Sequence, residues 1–144
     1  MARDENLAFV TSSTEAKNTG DIGDEIDTEG GFWAVIRLLL GTWTGTSAIV
    51  DIQVLCSIDG GSTDFHIGQF PVLDEDDSDV EIARVVYIPV PASGQTVTKV
   101  KISTRVAGGT VTTAPILQAY LEPLVSLGIP AVDKDLGVGV EELV

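Results

Sequence analysis

Ser47-Ala48-Ile49-Val50-Asp51-Ile52-Gln53-Val54-Leu55-Cys56-Ser57-Ile58-Asp59-Gly60-Gly61-Ser62-Thr63 is the stretch whose reading decides the fold. Taken at every second residue, it puts Ala48, Val50, Ile52, Val54, Cys56 and Ile58 on one side. Ser47, Ile49, Asp51, Gln53, Leu55 and Ser57 fall on the other. A uniformly apolar face opposite a mixed one is the period-two signature of a β-strand with one side in a core. Asp59-Gly60-Gly61-Ser62 then supplies turn residues, so the stretch ends as the tip of a hairpin.

Working outward, Val, Ile and Thr dominate between punctuation by 15 Gly and 6 Pro, and spacings of three and four are nearly absent, so strands rather than helices are expected. Strands are predicted at 7–12, weakly at 21–27, and strongly at 32–40. The last of these has Phe32, Ala34, Ile36, Leu38 and Leu40 on one face and Trp33, Val35, Arg37 and Leu39 on the other. Both faces are largely apolar, which suits a central strand or one covered by a neighbouring subunit. Further strands are expected at 47–58, 65–70 (ended by Pro71), 84–90, 96–106 and 110–122. The sum is an all-β chain: a single antiparallel β-sandwich or jelly roll of about eight strands. Residues 1–123 form the sandwich domain, with 1–30 as an N-terminal arm bearing edge strands. Residues 124–144, apolar but rich in glycine, form an extended C-terminal arm.

The bulk properties narrow the function. At 144 residues and 44% hydrophobic content the chain can build one core without a metal or disulfide, and no apolar run nears the roughly 18 residues of a membrane span. Twenty-two acidic against eight basic residues, a formal charge of -14, argues against nucleic acid, whose phosphates call for clustered Lys and Arg. Met1-Ala2-Arg3-Asp4-Glu5-Asn6 leads into no signal-type apolar stretch, so the chain is expected to stay where it is made until assembly or lysis. Cys56, on the apolar strand face, reads as a small buried hydrophobe.

Candidate chemistry is sparse, and no enzyme, cofactor or metal site is expected. Ser57, Asp59, Gly61 and Thr63 are similar to the Asp-box, the Ser-x-Asp-x-Gly-x-Thr-Trp hairpin loop repeated in sialidases, with Asp64 where the aromatic would stand. One copy in a chain this short reads as a structural turn, not as carbohydrate chemistry. The acidic run 74–81 invites a divalent cation but lacks the EF-hand Gly and the bidentate Glu, and a solvated loop is the simpler reading. His66 has no neighbouring nucleophile or second ligand in sequence. Lys99, Lys101 and Arg105 alternate on one strand face, either as an ordinary wet sheet surface or as a docking ribbon for an acidic surface such as loop 74–81 of another copy. Trp43, between Thr42 and Thr44, is the one plausible glycan platform.

Five segments carry a wider likeness: Gly31-Phe32-Trp33-Ala34-Val35, Gly41-Thr42-Trp43-Thr44-Gly45, Val54-Leu55-Cys56-Ser57-Ile58-Asp59-Gly60-Gly61, Phe70-Pro71-Val72-Leu73 and Val106-Ala107-Gly108-Gly109-Thr110. Together they resemble small tailed-bacteriophage virion proteins, in particular capsid decoration (cement) proteins with a β-sandwich or jelly-roll fold. The likeness runs over roughly residues 30–123. It implies a non-enzymatic protein made in the host cytoplasm and bound on the outer capsid surface of the virion. Its partners would be the major capsid protein and copies of itself, often as a homotrimer at local threefold positions. The expected contact residues are then Trp33, Val35, Leu39, Trp43, Lys99, Lys101 and Arg105. The alternatives are another virion component, such as a head-fibre base, neck or tail protein, and a glycan- or host-surface-binding module.

Overall fold

The computed structural model describes residues 7–10, 19–74, 76–112 and 115–124, and these build an all-β sandwich. Among them, ten strands follow in chain order: β1 (Ala8–Val10), β2 (Gly20–Thr28), β3 (Phe32–Leu40), β4 (Gly45–Thr46), β5 (Ile49–Ser57), β6 (Phe65–Gln69), β7 (Glu81–Ile88), β8 (Thr98–Ala107), β9 (Thr110–Val111) and β10 (Ile116–Pro123). Two four-stranded sheets carry the fold, in the orders β1-β10-β3-β7 and β2-β8-β5-β6, and β4 pairs with β9 separately. All of these pairings are antiparallel.

The eight longer strands pair first with last (β1 and β10), second with seventh (β2 and β8), third with sixth (β3 and β7) and fourth with fifth (β5 and β6). This is one long hairpin folded over on itself into a two-sheet sandwich. Its tip is the turn after β5. Ile58 stands just past the end of β5 and is half-buried, whereas Ala48, Val50, Ile52, Val54 and Cys56 are all buried, as the alternation requires.

Between the sheets, Ala34, Ile36, Leu38 and Leu40 of β3 meet Val50, Ile52, Val54 and Cys56 of β5 within one core, joined by Val86, Ile88, Val100, Ile102 and Leu121. Phe9, Ile22 and Ile26 belong to the same core. The segment expected as an N-terminal arm therefore contributes packed edge strands to both sheets. β1 lies against β2 at one side of the sandwich and β6 against β7 at the other, so both open edges are covered.

A glycine sits at each seam. In β2, the three residues between Ile22 and Ile26 face the single residue of β8 between Ile102 and Val100, and Gly23 opens this bulge with a φ of 67°. A Cβ there would fall on the Phe9 carbonyl. At the opposite seam, a Cβ on Gly68 would stand 2.6 Å from Val86 Cγ1.

Two strand boundaries differ from expectation. β7 starts at Glu81, inside the expected acidic loop, because Glu81 pairs with Leu39 and Ile82 with Leu38, where Ile82 packs on the core. The expected strand 110–122 divides into β9 and β10 on either side of Pro115, which has no N–H for a ladder. The expected C-terminal arm beyond Leu124 lies outside the described residues.

Candidate functional site

Four parts of the surface hold the residues singled out by sequence. At the hairpin tip, the Ser57 hydroxyl donates to Asp59 Oδ1 at 2.7 Å while accepting from Gly61 N–H at 2.9 Å, and Thr63 N–H donates to the same Asp59 oxygen at 2.9 Å. These donors, the Ser57 hydroxyl first and the Thr63 amide next, hold the Asp59 carboxyl below the usual carboxylate range. Gly60 and Gly61 take φ of 79° and 99°. The Ser57 and Asp59 side chains are thus turned on their own loop, which is a structural arrangement.

At one end of the sandwich Trp43 is only 2 % exposed, contrary to its reading as a glycan platform. Its indole folds into the core cluster, and Nε1–H donates to the Asp77 carbonyl at 3.1 Å. The acidic run that follows β6 holds this plug in place. Thr42 Oγ1 donates to both carboxylate oxygens of Asp79, at 2.8 and 2.7 Å, and Asp79 N–H donates to the Gly41 carbonyl at 3.2 Å. Asp74 Oδ1 and Asp77 Oδ2 accept the amides of Asp76 and Asp74. The carboxylates cap their own loop, and no group of three or more His, Cys, Asp or Glu with metal-holding geometry occurs among the described residues.

On the outer face of β2-β8-β5-β6, the basic ribbon is matched within the chain. Lys99 Nζ lies 3.7 Å from Glu25 and 3.2 Å from Asp27. Lys101 Nζ lies 3.1 Å from Asp21 and 2.9 Å from Asp64, and Arg105 contacts Asp51 at 3.4 Å. Hydrogen bonding, first to Asp64, raises the Lys101 pKa. Three cations stand among five carboxylates, so this face is an acid-rich lattice that its own cations bind together. His66 on β6 shares a 3.1 Å hydrogen bond with Gln69, whose amide also reaches Asp51. Cys56 is buried beneath, where desolvation pushes its thiol pKa up and keeps it in the inert form.

The outer face of β1-β10-β3-β7 is different in kind. Trp33 is 55 % exposed and Tyr87, opposite it on β7, 43 %; their rings meet edge to face at 5.3 Å. Val85 is 57 % exposed beside the buried Val35. Toward the other end of β3, Arg37 donates to Glu122 at 3.0 Å and to Glu81 at 2.9 Å, and these two bonds, Glu122 first, raise its pKa. Leu39 beyond it is half-buried. This aromatic and aliphatic end, next to a tied ionic band, is an exposed apolar cluster on the outer face of the sheet. Of the seven residues expected at a contact, Trp33, Val35 and Leu39 fall together here. Sequence reasoning missed Tyr87 and Val85, although the alternation of 84–90 puts both on the face of β7 away from Val86 and Ile88. No family model, no curated protein and no solved structure matches the chain.

Proposed function

We propose that this protein is a non-enzymatic structural protein of a virion, a decoration protein that binds the outer surface of a phage capsid and stabilises the shell. The observation that supports this most is the Trp33–Tyr87–Val85 face: an exposed apolar cluster with two aromatic rings already in edge-to-face contact, which leaves less side-chain freedom to lose on docking. The major capsid protein is the proposed partner, with copies of the protein itself as a trimer around each docking position. A ligand that binds the assembled lattice and not loose subunits stabilises that lattice by mass action. Strong negative charge keeps free copies apart and soluble and favours a neutral or basic patch on the shell.

Purified protein added to undecorated shells is expected to co-sediment with them and to raise their rupture temperature, and Trp33→Ala with Tyr87→Ala is expected to abolish both. Shells that rupture at an unchanged temperature, with the protein left in the supernatant, would refute the proposal. Labelling at the portal or tail with none over the shell would assign it instead to the head-fibre, neck or tail parts of the virion.

A further inference from the structure

The chain between β6 and β7 crosses the Trp43 end of the sandwich as a strap with two fixed ends. Leu73 and Val50 exchange both backbone hydrogen bonds, at 2.9 and 2.8 Å, and the Val80 carbonyl accepts Leu40 N–H at 2.8 Å. Between these anchors the strap supplies polar partners to Trp43: the Asp77 carbonyl for its indole N–H at 3.1 Å, and Ser78 Oγ for its backbone N–H at 3.5 Å. Trp43 is buried, so its indole N–H meets water only when the strap lifts or the whole sandwich unfolds.

Two features load the closed strap. Asp74, Asp76, Asp77 and Asp79 lie within six residues, and among the described residues no cation stands within ion-pair distance of any of them. The side-chain donors they meet are neutral, the amides of Asp74 and Asp76 and the hydroxyl of Thr42. Successive members of the run have Cα atoms at most about 7.6 Å apart. Their repulsion therefore acts in full where the Debye length is about 30 Å, at 0.01 M salt, and is cut sharply where it is about 3 Å, at 1 M. Asp79 also holds a φ of 56°, a left-handed conformation unfavourable to a residue with a side chain. The carboxylates on the outer face of β2-β8-β5-β6 differ, because Lys99, Lys101 and Arg105 stand among them.

We propose that this strap is a salt-sensitive latch over Trp43. Screening holds it shut, and low ionic strength releases it and opens the end of the core that Trp43 shares with Ala48 and Val111. The latch is a property of the free chain and holds whatever surface the protein meets.

Hydrogen exchange of the Trp43 indole N–H, followed by NMR in the unmodified full chain, reads the opening. The exposed Trp33 indole gives an unprotected reference in the same molecule, and the amides of Ile52 and Val54 in β5 give the global unfolding. Relative to Trp33, the Trp43 indole is expected to exchange about tenfold faster at 0.01 M than at 1 M sodium chloride, while the core amides change several-fold less. Asp76→Asn with Asp77→Asn keeps an acceptor oxygen at both positions and is expected to remove most of this dependence. Asp24→Asn with Glu29→Gln takes the same charge from exposed positions in and just after β2 and is expected to leave it intact. Circular dichroism confirms that both variants fold. An indole rate that is equal at the two salt concentrations, or that merely follows the core amides, would overturn the latch. Equal loss of the dependence in the two double variants would also overturn it, because the effect would then belong to net charge and not to the strap.

Discussion

Replacing Gly23 by alanine should break the seam between β1 and β2. Gly23 sits at a φ of 67°, and its added Cβ would fall on the Phe9 carbonyl and 2.8 Å from Val10 Cγ2. A left-handed conformation costs an L-residue about 1–2 kcal/mol. Forcing a methyl against a backbone carbonyl that cannot swing away adds about 1–3 kcal/mol. The sum, about 2–5 kcal/mol, is a large share of the roughly 5–15 kcal/mol by which a domain is stable. At about 4 °C per kcal/mol it lowers the thermal midpoint by roughly 8–20 °C. Gly94 supplies the control: its φ is 89° in the turn closed by Gln95 N–H on the Ala92 carbonyl, but nothing lies within 4 Å of where its Cβ would be. Gly94→Ala should therefore show only the backbone part, about 1–2 kcal/mol. Urea denaturation of the two variants with unchanged m-values measures the difference. If Gly23→Ala is no less stable than Gly94→Ala, the edges do not close against each other as described.

Three further outcomes are expected. The depressed Asp59 pKa means that this carboxylate contributes stability above the ordinary carboxylate range, and that the contribution disappears as pH falls through the depressed value; Asp59→Asn should flatten this part of an acid denaturation curve, and an identical curve would refute it. Trp43→Ala should destabilise by about 3–5 kcal/mol in chemical denaturation through the cavity it leaves, whereas a near-neutral result would return the indole to the surface. Lys101 has a raised pKa, so its pairing contributes below the ordinary lysine value and is lost as pH rises through the raised one; being partly exposed, Lys101→Met should cost under about 1 kcal/mol at neutral pH, and a loss several times larger would make the pair a buried one.

The strands that alternate cleanly are legible in the sequence by itself. β3 and β5 each have one face of uninterrupted hydrophobes, and their residue pattern alone gives their limits within two positions. β2 reads as weak because its two core residues, Ile22 and Ile26, are separated by a bulge that alternation cannot anticipate. Trp43 misleads for a related reason. Periodicity assigns faces within a strand, but Gly41–Thr44 is a loop, and nothing local states that it folds over the core end or that Asp77, far along the chain, receives its indole. The basic ribbon falls on the outward face that alternation gives it, but its meaning depends on Asp21, Glu25 and Asp27, which a distant strand brings alongside. Trp33 is legible as outward-facing from β3 itself; its partnership with Tyr87 requires the register of β7.

The folded-over hairpin also ranks its strand pairs by the length of loop each must close. In an open chain, β1 could meet β10 only by closing everything between Val10 and Ile116, and the entropy of closing a loop grows with its length. Pairing β5 with β6 closes only the short Ser57–Thr63 turn, after which β3 and β7, then β2 and β8, and lastly β1 and β10 each need to close only what remains outside the pair before. The turn with four Asp-box residues therefore stands inside the pair whose closure costs the least loop entropy. Loop-closure entropy makes this turn, with its own hydrogen bonds, the favoured place for pairing to begin.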